Sequence, residues 1–129
     1  MILDSTFLVD VLRGDEDVAG RVEELDERGA PFVSSVTVME LWEGIHLADS
    51  TDAERAAVEA LLSDLHEFSF DRECAMTAGR INADLVSAGT PVDETDVMIA
   101  ATALVHDQPV VTRKVDHFER VDGLDVVTY

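Results

Sequence analysis

Short apolar runs alternate with helix-periodic stretches along this chain, and that alternation limits the fold more than any other feature. Met1–Asp4, Pro31–Ser34, Glu67–Phe70, Pro109–Thr112 and Leu124–Thr128 each read as a strand. One or two helical stretches separate most of them. Strands joined through helices cannot pair as tight hairpins, so they pair side by side in parallel. A parallel sheet needs helices on both faces. The expected fold class is therefore α/β, a sandwich around a central parallel sheet of about four to five strands.

The helices follow from apolar spacing and stop signals. The first has Ser5 or Thr6 near its N-cap, Phe7, Leu8, Val11 and Leu12 on its apolar face, and Gly14 at its end. The second runs over 15–28 with Val18, Val22 and Leu25 inward and Gly29 as its C-cap. Ser35-Val36-Thr37 opens a third that carries Met39, Leu41, Trp42, Ile45 and Leu47. A fourth covers 52–65, with Ala53, Ala56, Ala57, Ala60, Leu61 and Leu65 inward. The stretch 71–88 is helical by period and is stopped by Gly89-Thr90-Pro91. Thr95–His106 is the most apolar helix, and Val115–Val121 is irregular or a single turn.

The 129 residues fit one domain, 1–129, and a hydrophobic fraction of 47% argues against disorder. No apolar run reaches the roughly 18 residues of a membrane span. The first residues meet Asp4 without a basic region, unlike a signal peptide. The single cysteine, Cys74, excludes an internal disulfide and fits a reducing cytoplasm. Asp and Glu number 28 against 9 Lys and Arg, a net charge of -19. Lys114 is the one lysine, and the acids are spread along the chain. Such a surface repels itself at low salt and is screened at molar salt, where the Debye length is about 3 Å. A halophilic cytoplasmic protein is the expected source, and attraction of a basic partner is the rival explanation.

In a parallel sheet, functional groups gather beyond the carboxyl ends of the strands. Asp4 ends the first strand, Glu40 follows the second, and Asp93, Glu94 and Asp96 open the apolar helix. Thr112, Arg113, Lys114 and Asp116 follow the fourth strand. Carboxylates converging on one crevice need a cation, and an oxygen-only set suits Mg2+ or Mn2+. Acids also favour first turns of helices, where they offset the positive dipole end. Spacing alone leaves both readings open.

Four blocks decide between them: MILDSTFLVDVLRG, SSVTVMELWEG, PVDETDVMIAATAL and VVTRKVDHFERVDGL. In order and spacing they resemble the PIN-domain ribonucleases of the VapC toxin type over the whole chain. The resemblance implies a PIN-like α/β/α sandwich and metal-dependent endonucleolytic cleavage of RNA, leaving 5'-phosphate and 3'-hydroxyl ends. It implies Mg2+ or Mn2+ as cofactor, a VapB-like antitoxin as partner, and a homodimer. The family's acids carry over to Asp4, to Glu40 in the E-x-x-x-G pattern closed by Gly44, and to Asp96 in the D-x-x-I-A pattern. In so acidic a chain, three acids at fixed positions arise by chance roughly once in 100.

Asp4, Glu40 and Asp96 are thus expected to hold the ion and its nucleophilic water as catalytic residues. The fourth position departs from the family, which carries Asp or Asn after the T-R pair where this chain has Lys114. A charged lysine cannot ligate a metal, so Asp116 is the candidate replacement, and Lys114 is alternatively a phosphate contact. Thr6, Thr112, Arg113, Lys114 and Arg13 are the candidate substrate-binding residues, with Ser5 beside them. The hydroxyls are equally read as caps and Arg13 as surface solvation. Glu43 is either an outer support for Glu40 or solvated, and Trp42 is core or a partner contact. His46, His66, His106 and His117 share no ligand spacing, and Cys74 reads as inert packing. Two other functions fit parts of the pattern. One is a PIN-like interaction protein without activity, motivated by Lys114. The other is a phosphoacceptor receiver domain, which needs an acceptor Asp ending a central strand where this chain has helix.

Overall fold

The computed structural model describes residues 1–27 and 29–129, except the side chains of residues 17, 19, 22, 23 and 26. Val22, expected inward, and Arg28 lie outside that description. The elements run β1 (Ile2–Leu3), α1 (Ser5–Leu12), α2 (Glu16–Glu27), β2 (Phe32–Ser34), α3 (Ser35–Leu47), α4 (Asp52–Ser63), β3 (His66–Phe68), α5 (Arg72–Ser87), α6 (Glu94–Val105), β4 (Val110–Val111), α7 (Val115–Phe118) and β5 (Val126–Val127). All five strands are parallel, in the order β3-β2-β1-β4-β5. The expected α/β class and strand number both hold.

The central strands β1 and β4 are buried on both faces, because successive side chains point to opposite sides, whereas the edge strand β3 is largely exposed. Ile2 and Val110 join a cluster with Ile81, Leu85, Val97, Ile99 and Phe118. Leu3, Val33 and Val111 join the opposite cluster, with Phe7, Leu8, Val18, Leu25, Leu41, Ile45 and Val58. Helix α3 contributes to both, Val36 to the first and Leu41 and Ile45 to the second. This is a helix–sheet–helix sandwich.

The strand order places the crevice. The chain leaves β1 toward β2 and β3, then crosses back to lay β4 on the other side of β1. Adjacent strands whose connections run to opposite sides leave an opening beyond their carboxyl ends. That opening lies between Asp4 after β1 and Thr112 after β4. The amide of Asp4 donates to Val111 O at 3.0 Å across it.

Several boundaries differ from expectation. The N-cap of α1 is Asp4 itself, with Ser5 as the first helical residue. Ser34 caps α3 through the amide of Val36, and Asp71 caps α5 through the amide of Cys74 at 3.0 Å. Gly89 ends α5 at φ +74°, while Thr90 donates to Leu85 O at 2.9 Å, a Schellman closure that needs the left-handed glycine. Strand β3 starts one residue earlier than expected, β5 is shorter, and Val115–Phe118 forms a single helical turn.

The face of α4 is a correction. Ala53, Ala56, Ala57 and Ala60 are exposed, while Val58 is buried and Leu61, Leu62 and Leu65 are half-buried. Alanines on a helix at the rim lack the length to reach the core, so the stripe follows the larger side chains. On α3, Leu41 and Ile45 are buried and Trp42 half-buried, but Met39 and Leu47 face solvent.

Candidate metal centre

Asp4 is fully buried beyond β1. Its side chain does not cap α1. Instead Oδ2 accepts from Thr112 Oγ1 at 2.7 Å and Thr6 Oγ1 at 3.0 Å. Oδ1 has only a long approach from Ser5 Oγ at 3.5 Å. The same hydroxyls fix the loop after β4: Lys114 N donates to Thr112 Oγ1 at 2.9 Å, and Arg113 N donates to Thr6 Oγ1 at 3.2 Å. The small polar residues are therefore a cradle for one carboxylate, which leaves its second oxygen open.

Asp96 lies in the first turn of α6 and is 2% exposed. Asp93 occupies the N-cap, yet its side chain makes no cap bond. An acid needed only for capping does not require the burial of Asp96. Lys114 Nζ lies 3.4 Å from both oxygens of Asp96, and His117 Nδ1 lies 2.9 Å from Oδ2. With the carboxylate as acceptor, His117 Nδ1 is the donor.

Glu40 projects from α3 into the same charge field. Its pKa is raised to about 7, chiefly by burial, with Asp4 and Asp96 adding to it and Lys114 and Thr95 opposing. The Lys114 pKa is also raised: burial works against the ammonium, but Asp96, Asp4 and Glu40 outweigh it. Glu40 therefore feels the charges of Asp4, Asp96 and Lys114, while direct contact is seen between Lys114 and Asp96.

The acids fit a hard divalent cation. Glu40 Oε1 is buried without a hydrogen-bond partner, as is Thr37 Oγ1 one turn earlier on α3. An unsatisfied buried acceptor costs about 1–3 kcal/mol. Asp4 Oδ1 is met only by the long Ser5 contact, and carboxylate oxygens without a thiolate are a donor type suited to Mg2+ or Mn2+. Asp93, Asp96 and His117 also present ligand atoms within 4.8 Å of one another.

Other candidates fall elsewhere. Asp116 is exposed, and its neighbour His117 is the α7 residue that turns to Asp96. Arg13 is exposed beside Val9, Leu12 and Ile45, in a hollow of about 300 Å³ between α1, α3 and α4. Glu43 is exposed. Cys74 is buried, and burial raises its pKa, as expected of an inert thiol.

Sequence reasoning missed Asp10. It is 5% exposed on α1 and binds Arg113 NH2 through Oδ1 at 2.7 Å and Tyr129 Oη through Oδ2 at 2.7 Å. The available signal was an acid three residues after Phe7 and beside Val11, on the apolar stripe.

Comparison with known proteins agrees with this fold. The PIN domain family matches residues 1–124. The tRNA(fMet)-specific endonuclease VapC of Salmonella typhimurium is 36% identical over 73% of this chain and 71% of its own length. Ribonuclease VapC19 of Mycobacterium tuberculosis is 33% identical over 91% of this chain and 90% of its own. The crystal structure of DNA-bound VapBC from Salmonella typhimurium superposes with a TM-score of 0.84 at 31% identity, covering 98% of this chain and 96% of that one. With its sheet order, its buried acids and these relatives in agreement, this chain belongs to the PIN-domain family, among the VapC ribonucleases.

Proposed function

We propose that this chain is a metal-dependent endoribonuclease, the toxin of a toxin–antitoxin pair. The observation that carries the reading is the unsatisfied Glu40 Oε1 beside Asp4 and Asp96. Asp4 and Glu40 would hold Mg2+ or Mn2+, with the Asp96 charge acting on the same Glu40 carboxylate. When bound, the ion lowers the pKa of a water and stabilises charge on the phosphate under attack. The chain's own groups do the rest. Thr6 and Thr112 hold Asp4 in one rotamer. Arg113, half exposed and anchored by Asp10, and Lys114 offer cations to RNA phosphates. Asp116 on α7 and Arg13 at the end of α1 are both exposed, and the roles of metal support and phosphate contact proposed for them rest on the family resemblance alone.

The partners follow from the family. A VapB-like antitoxin and a homodimer are proposed, since the Salmonella relative was crystallised as VapBC. No described helix is long and apolar enough to cross a membrane, and a cytoplasmic location is proposed. The test is cleavage of structured RNA by purified protein with Mn2+ at about 1 M KCl, against Asp4→Asn. Cleavage by the parent and none by the variant is expected. Equal RNA decay in both would leave the inactive interaction protein as the better account.

A further inference from the structure

The acids of the crevice are not equivalent. Glu40 Oε1 has no partner and Asp4 Oδ1 has only the long Ser5 contact at 3.5 Å, whereas both oxygens of Asp96 face the Lys114 ammonium and one also meets His117. Asp93, Asp96 and His117 form a trio with ligand spacing, a natural seat for a cation. Lys114 reaches one wall of that seat from its fixed place after Thr112. The charges point the same way. A second ion beside an ammonium in a partly buried crevice meets strong repulsion, because the local dielectric is well below that of water.

We propose that Lys114 stands in for a second divalent cation over Asp96, so that this chain takes one ion, at Asp4 and Glu40. The seat formed by Asp93, Asp96 and His117 opens to a second ion only when the ammonium is removed. The inference rests on the metal-centre reading of the crevice, but it concerns ion count rather than RNA cleavage. Lys114 acts here as a fixed charge. It is a positioning residue for Asp96 and does not itself ligate the ion.

The test counts ions directly. Mn2+ is titrated into the full chain at about 1 M KCl, which suppresses loose binding to surface acids. Free ion is followed by electron paramagnetic resonance. The parent is expected to bind one ion in its tight class, and Asp4→Asn none. Lys114→Met removes the charge without adding a ligand and is expected to bind two. Lys114→Arg keeps the charge and is expected to bind one. Should Lys114→Met fold poorly by circular dichroism, Lys114→Gln serves the same comparison. Two tight ions in the parent, or one in the folded neutral variant, would overturn the proposal. RNA cleavage measured on the same samples separates the two claims: one ion with no cleavage removes the nuclease reading and leaves this one standing.

Discussion

Tyr129 Oη donates to Asp10 Oδ2 at 2.7 Å, across 119 positions of sequence. The tyrosine ring also meets Phe7 edge-on, with centroids 4.9 Å apart. Burial first, and the Asp10 carboxylate second, push the tyrosine pKa up to about 12. The pair closes the segment after β5 onto α1 and leaves Asp10 Oδ1 to Arg113. The loop that carries Lys114 is therefore fastened at the two residues before it, by Thr112 to Asp4 and by Arg113 to Asp10.

Removing the tyrosine hydroxyl should weaken the fold. Tyr129→Phe keeps the ring contact and strips one donor from a buried carboxylate. A loss of about 1–2 kcal/mol is expected, near 4 °C per kcal/mol in a thermal melt for a domain of this size. An unchanged Tm would show that Arg113 alone satisfies Asp10.

Glu40 makes the metal-free protein less stable as pH rises. Its folded pKa, about 7, lies above the ordinary 4.5. The folded state thus binds the proton more tightly than the unfolded state. That stability is fully present below about pH 4.5 and is lost as pH climbs to about 7. After allowance for partial solvent exposure the loss is about 1–2 kcal/mol. Urea unfolding with chelator at about pH 5 and about pH 8 should show this drop in the parent and not in Glu40→Gln. Acids remote from Glu40 act alike in both proteins and cancel in the comparison.

Thr112 should tune the metal centre from outside it. Its hydroxyl donates to Asp4 Oδ2 and fixes that carboxylate. Thr112→Val is close in shape but lacks the donor. A fall in Mn2+ affinity of about 10–100-fold is expected, with circular dichroism unchanged. Equal affinity in a calorimetric titration would mean that α1 alone orients Asp4.

Salt should govern folding. A net charge of -19 on 129 residues repels itself when unscreened. Far-ultraviolet circular dichroism and thermal melts at about 0.05 M and about 2 M KCl should show the more stable fold at high salt. A higher Tm at low salt would remove the halophilic reading of the composition.

Much of the centre was legible before any coordinates. Asp4, Glu40 and Asp96 fall beyond strand ends or in the helices that follow, and the structure couples all three through the Glu40 carboxylate. What stayed hidden was how each acid is satisfied. The alanines of α4 show a related limit: a period of 3.6 names a face but not how much of it the neighbours cover.

The sequence by itself determined the kind of fold and the identity of the acids, because strand and helix periods are local and the chain order of β and α units compels a parallel sheet. Only the tertiary structure decided that Lys114 and His117 share Asp96, across 18 and 21 positions, and that Tyr129 shares Asp10 with Arg113. Those pairings depend on how α6, α7 and the ends of β1 and β4 pack around one opening. A buried carboxylate takes whatever donor that packing brings within reach, and no spacing along the chain encodes the choice.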